Sequence, residues 1–439
     1  MKKASRILLG VGFLALLLIS WAVAANSKSP AQKQSELISQ ADTLTADQIY
    51  VRALPLLEEA AGYKASHTLE AETKLKAVYL ELMGQSGIRN KYTALLEKQM
   101  SRADVTADIF METANFYINT NKLRDALSVL KRGITALNDK SLIDFYEAER
   151  YAYKVNRISY ENVTTIANDK IQVSEDGLWG LANSDGALVI PCEYDKVSNY
   201  SNTRAIVKKG SGIFAVDMNN NRIAVLSERA SDIGNYGNDR VAILMNDSWQ
   251  RATGEFSVGS AAFESIGMYS GGYAAAKQGG KWGVVDIGTE WLVPAEYDDI
   301  IRDELGRCYA QGAVFAVQGG KVHLLVGGVD TGNVFEDAKP FTDDGWAAVK
   351  QNGKWGFIDT SGTFQKGLEP QFEDALSFSG HLAAFKDGEL WGYVALTGKI
   401  AIKPQFVEAK SFLNGNAPVL TDKGWQFISL VEYKKEAGL

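Results

Sequence analysis

Side chains that serve acid–base, nucleophilic or metal chemistry are either few in this chain or spread evenly along it. Its 439 residues include three histidines and two cysteines, which are too few side chains to make a His/Cys metal site a strong candidate. His323 and His381 have no nucleophile motif such as Gly-x-Ser-x-Gly beside them. No carboxylate pair is singled out as a catalytic acid and base. We therefore predict no catalytic residue, no metal site and no cofactor, and an enzyme is the least favoured of three functional hypotheses.

Tryptophan is the residue type whose spacing is most informative. From Trp179 onward, equivalent positions recur at intervals of 33 to 40 residues, with Ile213 and Val322 replacing tryptophan in two units. Tryptophans in such a register usually fill the core of a repeat. Six are predicted to have this structural role: Trp179, Trp249, Trp282, Trp355, Trp391 and Trp425. Trp291 and Trp346 fall outside the register and are our candidates for exposed ligand contacts.

Acidic residues keep their own register in the same part of the chain. One set follows an aromatic residue in successive units: Asp195, Glu264, Asp298, Glu336 and Glu373. These carboxylates either are solvated one by one, which we favour, or form a ring that binds a cation or a basic partner. A second set, Asp217, Asp286 and Asp359, ends the tryptophan strand, where a carboxylate can accept hydrogen bonds from turn N–H groups.

The pattern around each tryptophan predicts a β-hairpin. Residues 347–350 are extended, residues 355–359 alternate with a period of two, and Asn352-Gly353 between them suits a turn with positive φ. Six of the 41 glycines precede residue 166, so the turn-rich part of the chain is the second part. One hairpin alone is unstable in water, and these units must therefore stack or close on one another.

The repeated unit resembles the bacterial WG-repeat family. Residues 350–375 carry the resemblance most fully, with Lys-Trp-Gly at 354–356, Ser-Gly at 361–362 and Pro-x-Phe at 370–372. The resemblance covers about 265 residues and implies a binding or interaction role without assigned chemistry. Units of this size, with three or four short strands each, predict either a β-propeller of seven or eight blades, which we favour, or an open β-solenoid.

The segment 30–158 is predicted to be helical, because glycine is scarce there and Ala, Leu, Glu and Lys dominate. Small and aromatic residues recur at a period of 34 residues, and the pattern resembles the tetratricopeptide repeat, which implies a peptide- or protein-binding groove. The best-matching positions are Phe110, Ala114, Tyr117, Ala126, Leu130 and Gly133. The alternative is that these helices form only a spacer. Residues 119–121 are predicted to turn, and Asp139 to Ser141 to break and cap the next helix.

The N-terminus combines basic residues with an apolar run. Lys2, Lys3 and Arg6 precede an uncharged stretch that begins at Ile7 and ends at Ala25, long enough to cross a ~30 Å hydrocarbon core. This stretch is either an uncleaved single-pass anchor, which we favour, or a signal peptide cut near Ala22-Val-Ala24, after which the protein would be secreted. Both alternatives place the rest of the chain outside the cytoplasm.

These patterns predict a multidomain α+β protein. Its parts are a signal segment and linker at 1–29, a helical domain at 30–158, a β domain at 160–430 and a tail at 431–439. The net charge of −7 gives no attraction to nucleic acid. The favoured function is a membrane-tethered extracytoplasmic scaffold that binds protein or peptide partners, and the alternative is a carbohydrate or cell-wall glycan binding module. Cys192 and Cys308 are predicted to be free thiols rather than a disulfide.

Overall fold

The computed structural model describes residues 28–227 and 229–432. It divides into two compact units between Tyr146 and Glu147. Within the described residues no helix is long and apolar enough to cross a membrane. The predicted membrane segment that ends at Ala25 lies outside the described residues, as does most of the predicted tail.

The first unit is helical. In the described part of the chain its helices are α1 (Pro30–Ala46), α2 (Tyr50–Gly62), α3 (Thr68–Glu81), α4 (Ile88–Met100), α5 (Ala107–Asn119), α6 (Leu123–Leu137) and α7 (Lys140–Glu149), the last of which runs across the division between the units. Helix α1 begins with a capping box, in which Ser29 accepts from the Gln32 backbone and the Gln32 side chain accepts from Ser29 N. The predicted turn is confirmed, because α5 ends at Asn119. The predicted cap is confirmed as well, since Asp139 Oδ1 accepts from Ser141 N at 2.8 Å.

The residues that resemble the tetratricopeptide pattern pack α5 against α6. Ala114, Ala126 and Leu130 are fully buried and Phe110 is 2% exposed. A Cβ on Gly133 would approach Phe110 Cγ to 2.7 Å, so only glycine allows this contact. The pattern therefore marks a real helix–helix contact, while the assignment of the whole segment to the tetratricopeptide family stays a prediction.

The second unit is a β-propeller with eight sheets in the described residues, each a blade. Blade 1 contains β2 (Asn162–Val163), β3 (Lys170–Glu175), β4 (Leu178–Asn183) and β5 (Leu188–Tyr194). Blade 2 contains β6 (Lys196–Val197), β7 (Ala205–Lys209), β8 (Gly212–Val216) and β9 (Arg222–Val225). Blade 3 contains β10 (Asp232–Gly237), β11 (Arg240–Met245), β12 (Ser248–Ala252) and β13 (Val258–Phe263). Blade 4 contains β14 (Ser265–Ile266), β15 (Tyr273–Gln278), β16 (Lys281–Asp286) and β17 (Trp291–Tyr297).

The remaining blades follow in chain order. Blade 5 contains β18 (Asp299–Ile300), β19 (Ala313–Gln318), β20 (Lys321–Val326) and β21 (Val329–Phe335). Blade 6 has three strands, β22 (Asp337–Ala338), β23 (Ala347–Gln351) and β24 (Lys354–Ile358). Blade 7 contains β25 (Asp374–Ala375), β26 (Leu382–Asp387), β27 (Leu390–Ala395) and β28 (Ile400–Phe406). Blade 8 contains β29 (Glu408–Ala409), β30 (Asn416–Thr421), β31 (Gly424–Leu430) and β1 (Tyr153–Tyr160). We call the four positions in a blade A to D, from the short inner strand outward.

Blade 8 closes the ring, because its D strand comes from the start of the propeller sequence. β1 pairs antiparallel with β31, with Tyr153 opposite Leu430 and Tyr160 opposite Trp425. Ile171 and Val173 of blade 1 share a buried cluster with Trp425 and Phe427 of blade 8. The predicted propeller is therefore confirmed, with eight blades, and the open solenoid is excluded. The predicted domain boundary near residue 158 lies inside β1.

Glycine follows tryptophan in four blades because the next segment of the chain, which is strand D in three of them, approaches strand C closely there. A Cβ on Gly180 would lie 2.4 Å from Ile190 O, and one on Gly283 would lie 2.3 Å from Val293 O. Real Cβ atoms do not approach a carbonyl oxygen this closely, and the pairing of C with D is irregular at the same place. The glycine therefore gives room to a neighbouring backbone carbonyl.

The recurring carboxylates stabilise the turns by accepting hydrogen bonds from backbone N–H groups. In four blades the acid that precedes strand A accepts the glycine N–H of the B–C turn, at 2.6 to 3.0 Å: Asp195 with Gly210, Glu264 with Gly280, Asp298 with Gly319 and Glu336 with Gly353. The predicted C–D turn role is confirmed as well, because Asp217 Oδ1 accepts from Asn221 N and Asp359 Oδ1 accepts from Thr363 N. A hydrogen bond from Lys281 contributes most to holding the pKa of Asp298 below its usual value.

We expect Gly283→Ala to destabilise the propeller by about 1–3 kcal/mol, because the added methyl group overlaps a backbone carbonyl that cannot move freely. Chemical unfolding of the two proteins measures this difference. Gly288→Ala, in the adjacent C–D turn, is the matched control: its new Cβ would meet only the Asp286 side chain, at 3.1 Å. Equal stability of the two variants would contradict the proposed backbone contact.

Tyr160 reports on ring closure. It is 6% exposed, its hydroxyl donates to Gly186 O at 2.8 Å, and its ring meets Phe427 edge-on. Tyr160→Phe removes only the hydrogen bond and should cost about 1 kcal/mol of unfolding free energy. Tyr160→Ala also leaves a cavity at the closure and should cost about 3–5 kcal/mol. If thermal and chemical unfolding show no difference between these two variants, the packing of β1 does not support the ring.

Candidate functional site

The ring encloses a central cavity of about 820 Å³. Its walls are inner strands and the A–B loops that follow them, in blades 1 and 4 to 8. Blades 2 and 3 do not line it. Its size suits a small ligand or a few residues of a peptide.

One A–B loop, residues 301–312 of blade 5, reaches across the ring and explains why blades 2 and 3 are absent from the wall. Leu305 is 3% exposed and packs with Ala167 of blade 1 and Met268 of blade 4. Its carbonyl accepts from Asn235 Nδ2 of blade 3 at 3.0 Å. We call this segment the plug loop, because it fills one side of the ring and leaves the cavity on the other.

The plug loop keeps its shape through a carboxylate. Asp303 Oδ1 accepts from Leu305 N at 3.0 Å and from Arg307 N at 2.8 Å, while Oδ2 accepts from Arg307 Nε at 2.6 Å. The loop also contacts the facing blade, since Lys410 Nζ lies 2.8 Å from Glu304 Oε2 and 3.2 Å from Glu408 Oε1. These acids raise the pKa of Lys410 against the opposing effect of burial, which is the largest single influence on it.

The cavity has a surplus of negative charge. Its lining includes seven acidic side chains and four basic ones. Arg307 and Lys410 are engaged by Asp303, Glu304 and Glu408. Within the described residues no ion pair neutralises the other four carboxylates: Asp169, Asp343, Asp344 and Asp374. Such a wall favours a cationic group over an anion.

Aromatic side chains form part of the same wall. Trp391, Phe341 and Tyr309 line it, and Phe341 stacks on Phe315 with ring centres 5.3 Å apart. Tyr309 packs on Tyr273 at 4.4 Å. Trp391 is half-buried, so one part of its indole belongs to the blade and another part faces the cavity.

The other tryptophans of the predicted core set lie in the same place in their blades. Trp355 and Trp425 are buried, and Trp179, Trp249, Trp282 and Trp391 are half-buried and pack against the blade clusters. Basic side chains cover three of them: the Arg302 guanidinium lies 3.9 Å from the centre of Trp282, and Lys339 and Lys410 lie over Trp355 and Trp425.

The two proposed ligand-contact tryptophans are not fully exposed. Trp291 is half-buried and meets Phe263 edge-on at 6.2 Å. Trp346 is half-buried and packs beside the cluster of Phe357 and Phe378. Neither lines the central cavity. Ligand binding by these two residues stays a prediction.

The reactive side chains singled out from the sequence are dispersed. His323 lies 2.9 Å from Asp330 on blade 5, and His381 donates its backbone N–H to Asp344 at 2.7 Å. Both cysteines are free thiols, and burial raises the pKa of Cys308 to about 12. Among the residues that the structure describes, no three His, Cys, Asp or Glu side chains come together as a metal site.

Sequence reasoning did not identify the cavity residues. One available signal was the long interval of 40 residues between Trp282 and Val322, whose surplus is the plug loop. Asp374 and Glu408 begin strand A in their blades, and the remaining cavity carboxylates come from A–B loops, whose sequences have no shared motif. Only the closed ring brings them to one place.

Similar chains are found among solved structures, at low sequence identity. No curated protein matches the chain. Among solved structures, Kluyveromyces lactis Hsv2 is 8% identical, with 61% of this chain and 95% of that chain covered and a TM-score of 0.35. The β-propeller domain of Myceliophteria thermophila Cps50 (Swd1) is 9% identical, with 64% and 100% covered and a TM-score of 0.34. YCF48 bound to D1 peptide is 14% identical, with 62% and 100% covered and a TM-score of 0.31. Nothing about function follows from similarity at this level.

The family comparison is more specific. The model described as "WG containing repeat" matches five segments: residues 179–212, 260–282, 334–355, 355–391 and 391–425. All five matches begin or end at a tryptophan in the second position of strand C, so the family repeat and the structural blade share one register. The β-propeller of this chain is built from these units, and the chain belongs to the WG-repeat family.

Proposed function

We propose that this chain is a membrane-tethered, extracytoplasmic scaffold whose propeller binds a protein partner through a basic segment. The observation that carries the proposal is the cavity of about 820 Å³ with four unneutralised carboxylates. A WG-repeat β-propeller is usually an interaction scaffold. The cavity supplies such a scaffold with a concave, charged place for a lysine or arginine side chain of the partner.

The cavity favours a peptide over a small cation because its acids are spread along the wall. Asp343 and Asp344 lie in the A–B loop of blade 6, Asp374 lies on strand A of blade 7, and Asp169 lies in blade 1. Trp391 and Tyr309 add apolar surface between these charges. A segment with a basic residue beside an apolar one complements this alternation.

The membrane tether is proposed from the sequence. The basic residues up to Arg6 precede the apolar run from Ile7 to Ala25, and positive charge favours the cytoplasmic side of a span. In this arrangement the helical unit follows the tether, and it supplies either a second binding surface or a spacer. A deletion that tests the helices must stop at Tyr146, because removal of residues up to 158 would also remove most of β1.

Neutralising two carboxylates of the central cavity should weaken capture of the protein partner. Asp343→Asn combined with Asp344→Asn removes two negative charges from the cavity, and recovery of the protein partner from solubilised membranes should fall about tenfold, with a weaker dependence on salt. Affinity capture with the tagged full chain, followed by quantitative mass spectrometry, measures the recovery.

The matched control is Asp176→Asn combined with Asp247→Asn. Both are exposed residues of B–C turns, at the other end of the strands, and their φ values of 51° and 61° are tolerated by asparagine. This variant has the same net charge as the test variant and should recover the partner like the parent chain. Equal recovery by test and control variants would show that the cavity is not the binding site, and absence of any enriched protein would contradict the scaffold function.

The tether has its own test. The full chain should remain in the membrane after alkaline extraction and be digested by protease added outside intact cells. Leu16→Lys with Leu17→Lys should prevent insertion, because a lysine at the centre of a span costs about 2.5–3.5 kcal/mol. Release of a chain shortened after Ala24 would identify a cleaved signal peptide, and a protease-protected chain would contradict the extracytoplasmic location.

A glycan of the cell wall is the second candidate ligand, and the half-buried Trp391 in the cavity wall favours it. Aromatic faces stack on sugar rings as they do on other apolar surfaces. Sedimentation with insoluble cell-wall glycan distinguishes the two functions. If the parent chain sediments with the glycan, Trp391→Ala does not, and the capture experiment enriches no protein, then the ligand is a glycan and not a protein.

A further inference from the structure

Blade 3 departs from the other blades at two positions in strand C and the turn after it. Two residues after the tryptophan position, the other seven blades have apolar, buried residues: Leu181, Ala215, Val284, Leu324, Phe357, Tyr393 and Phe427. Blade 3 has Arg251 there. Two residues later, where three blades place the turn-capping aspartate, blade 3 has Thr253. Both changes make this part of the blade more positive than its counterparts.

The departure coincides with a separate pocket of about 220 Å³. Arg240 and Arg251 line it together with Thr253, Ser257 and Gly259. Gly259 keeps the space beside the guanidinium open, since a Cβ there would lie 3.3 Å from Arg251 Nε. The pocket is several times larger than the ~30 Å³ that one water occupies in the liquid.

Arg251 lacks a partner among residues 28–227 and 229–432. No hydrogen bond or ion pair of its guanidinium to a described residue is present, and its Nε is buried without an acceptor. A buried donor that is left unsatisfied costs about 1–3 kcal/mol, and more when it carries charge. Retaining arginine at a core position of the repeat therefore calls for a compensating acceptor.

Two neighbouring carboxylates, Asp239 and Glu255, are engaged by residues other than Arg251. Asp239 Oδ1 accepts from Tyr236 Oη at 2.6 Å and from Gly254 N at 3.2 Å, and its Oδ2 lies 3.5 Å from Arg240. Glu255 pairs with Arg204 at 2.8 Å. The Thr253 hydroxyl oxygen accepts from Ser257 N at 3.1 Å, which leaves its own hydrogen available to a ligand.

A second unpartnered group lies near the two arginines. Tyr269 of blade 4 is 2% exposed, and its hydroxyl has no hydrogen-bond partner among the described residues. Burial raises the pKa of Tyr269 to about 12, the charges of Arg251 and Arg240 act against that rise, and the charge of Asp286 adds to it. Two guanidinium groups, a hydroxyl and a phenol can all donate hydrogen bonds, and an oxyanion is the kind of ligand that accepts them.

We propose that the pocket of Arg240, Arg251 and Thr253 in blade 3 binds one tetrahedral oxyanion, a phosphate or sulfate group that is free or carried by a larger molecule. The guanidinium of Arg251 is the principal ligand, Arg240 adds a second positive charge, and the Thr253 hydroxyl donates a further hydrogen bond. This site is distinct from the acidic central cavity and does not depend on the function proposed for it.

The test is thermal unfolding of the purified full chain in sodium phosphate and in sodium chloride of equal ionic strength. Phosphate should raise the melting temperature relative to chloride, and above the dissociation constant the stabilisation should grow with the logarithm of the phosphate concentration. Arg251→Leu restores the residue type of the other blades, so it should fold well and melt at least as high as the parent without phosphate, while its phosphate affinity falls about tenfold or more. Thr253→Asp should lose the phosphate response as well, because it restores a negative charge beside the arginines.

The control is Arg157→Leu, which removes an equal charge from an exposed residue of β1 and should keep the full phosphate response. Sodium sulfate and sodium acetate serve as further ligands: sulfate should act like phosphate and acetate only weakly. Absence of a phosphate-specific shift in the parent chain, or an equal shift in Arg251→Leu, would overturn the site. Acetate binding as strong as phosphate binding would overturn its assignment to a tetrahedral oxyanion.

Discussion

The pairing of β1 with β31 is the contact on which the propeller depends. Each blade buries its faces against two neighbours, so a row of blades would leave two apolar faces in water at its ends. The strand Tyr153–Tyr160 supplies the D position of a blade whose other strands come from the end of the domain, and Tyr160 packs on Phe427 and reaches Gly186 of blade 1. Because the first and last blades are held together in this way, the inner strands surround one cavity.

The repeat and its departures have different functions in this molecule. Tryptophan, the glycine after it and the turn-binding carboxylates recur because every blade must solve the same packing problem: close approach of strands C and D, and two tight turns. Departures from the repeat occur where a blade has a role beyond packing against its neighbours. The plug loop of blade 5 occupies one side of the ring, and Arg251 with Thr253 gives blade 3 a basic pocket.

Local features were predictable because they depend on neighbours in the chain. The hairpin between 347–350 and 355–359 is β23–β24, and Asn352 has the positive φ that its turn requires. The C–D turn role of Asp217 and Asp359 followed from the same local argument. The B–C turn role of Asp298 was less accessible, since its partner Gly319 is on the next hairpin and becomes a neighbour only when strand A pairs with strand B. The predicted boundary near residue 158 falls inside β1 for a related reason: nothing in 153–160 shows that its partner is at the other end of the domain.

The sequence by itself determined the repeat unit, its β character, the family and the six tryptophans that organise the blades, because periodic residues report the same local environment each time. Tertiary structure decided the number of blades, the closed ring, the position of the plug loop and the charge of the cavity. Asp169, Asp344 and Glu408 come from three blades and share no motif, and they line one cavity only because the ring is closed. Such a site is made by contacts between residues far apart in the chain, and a periodic pattern carries no information about which of its copies will face one another across a ring.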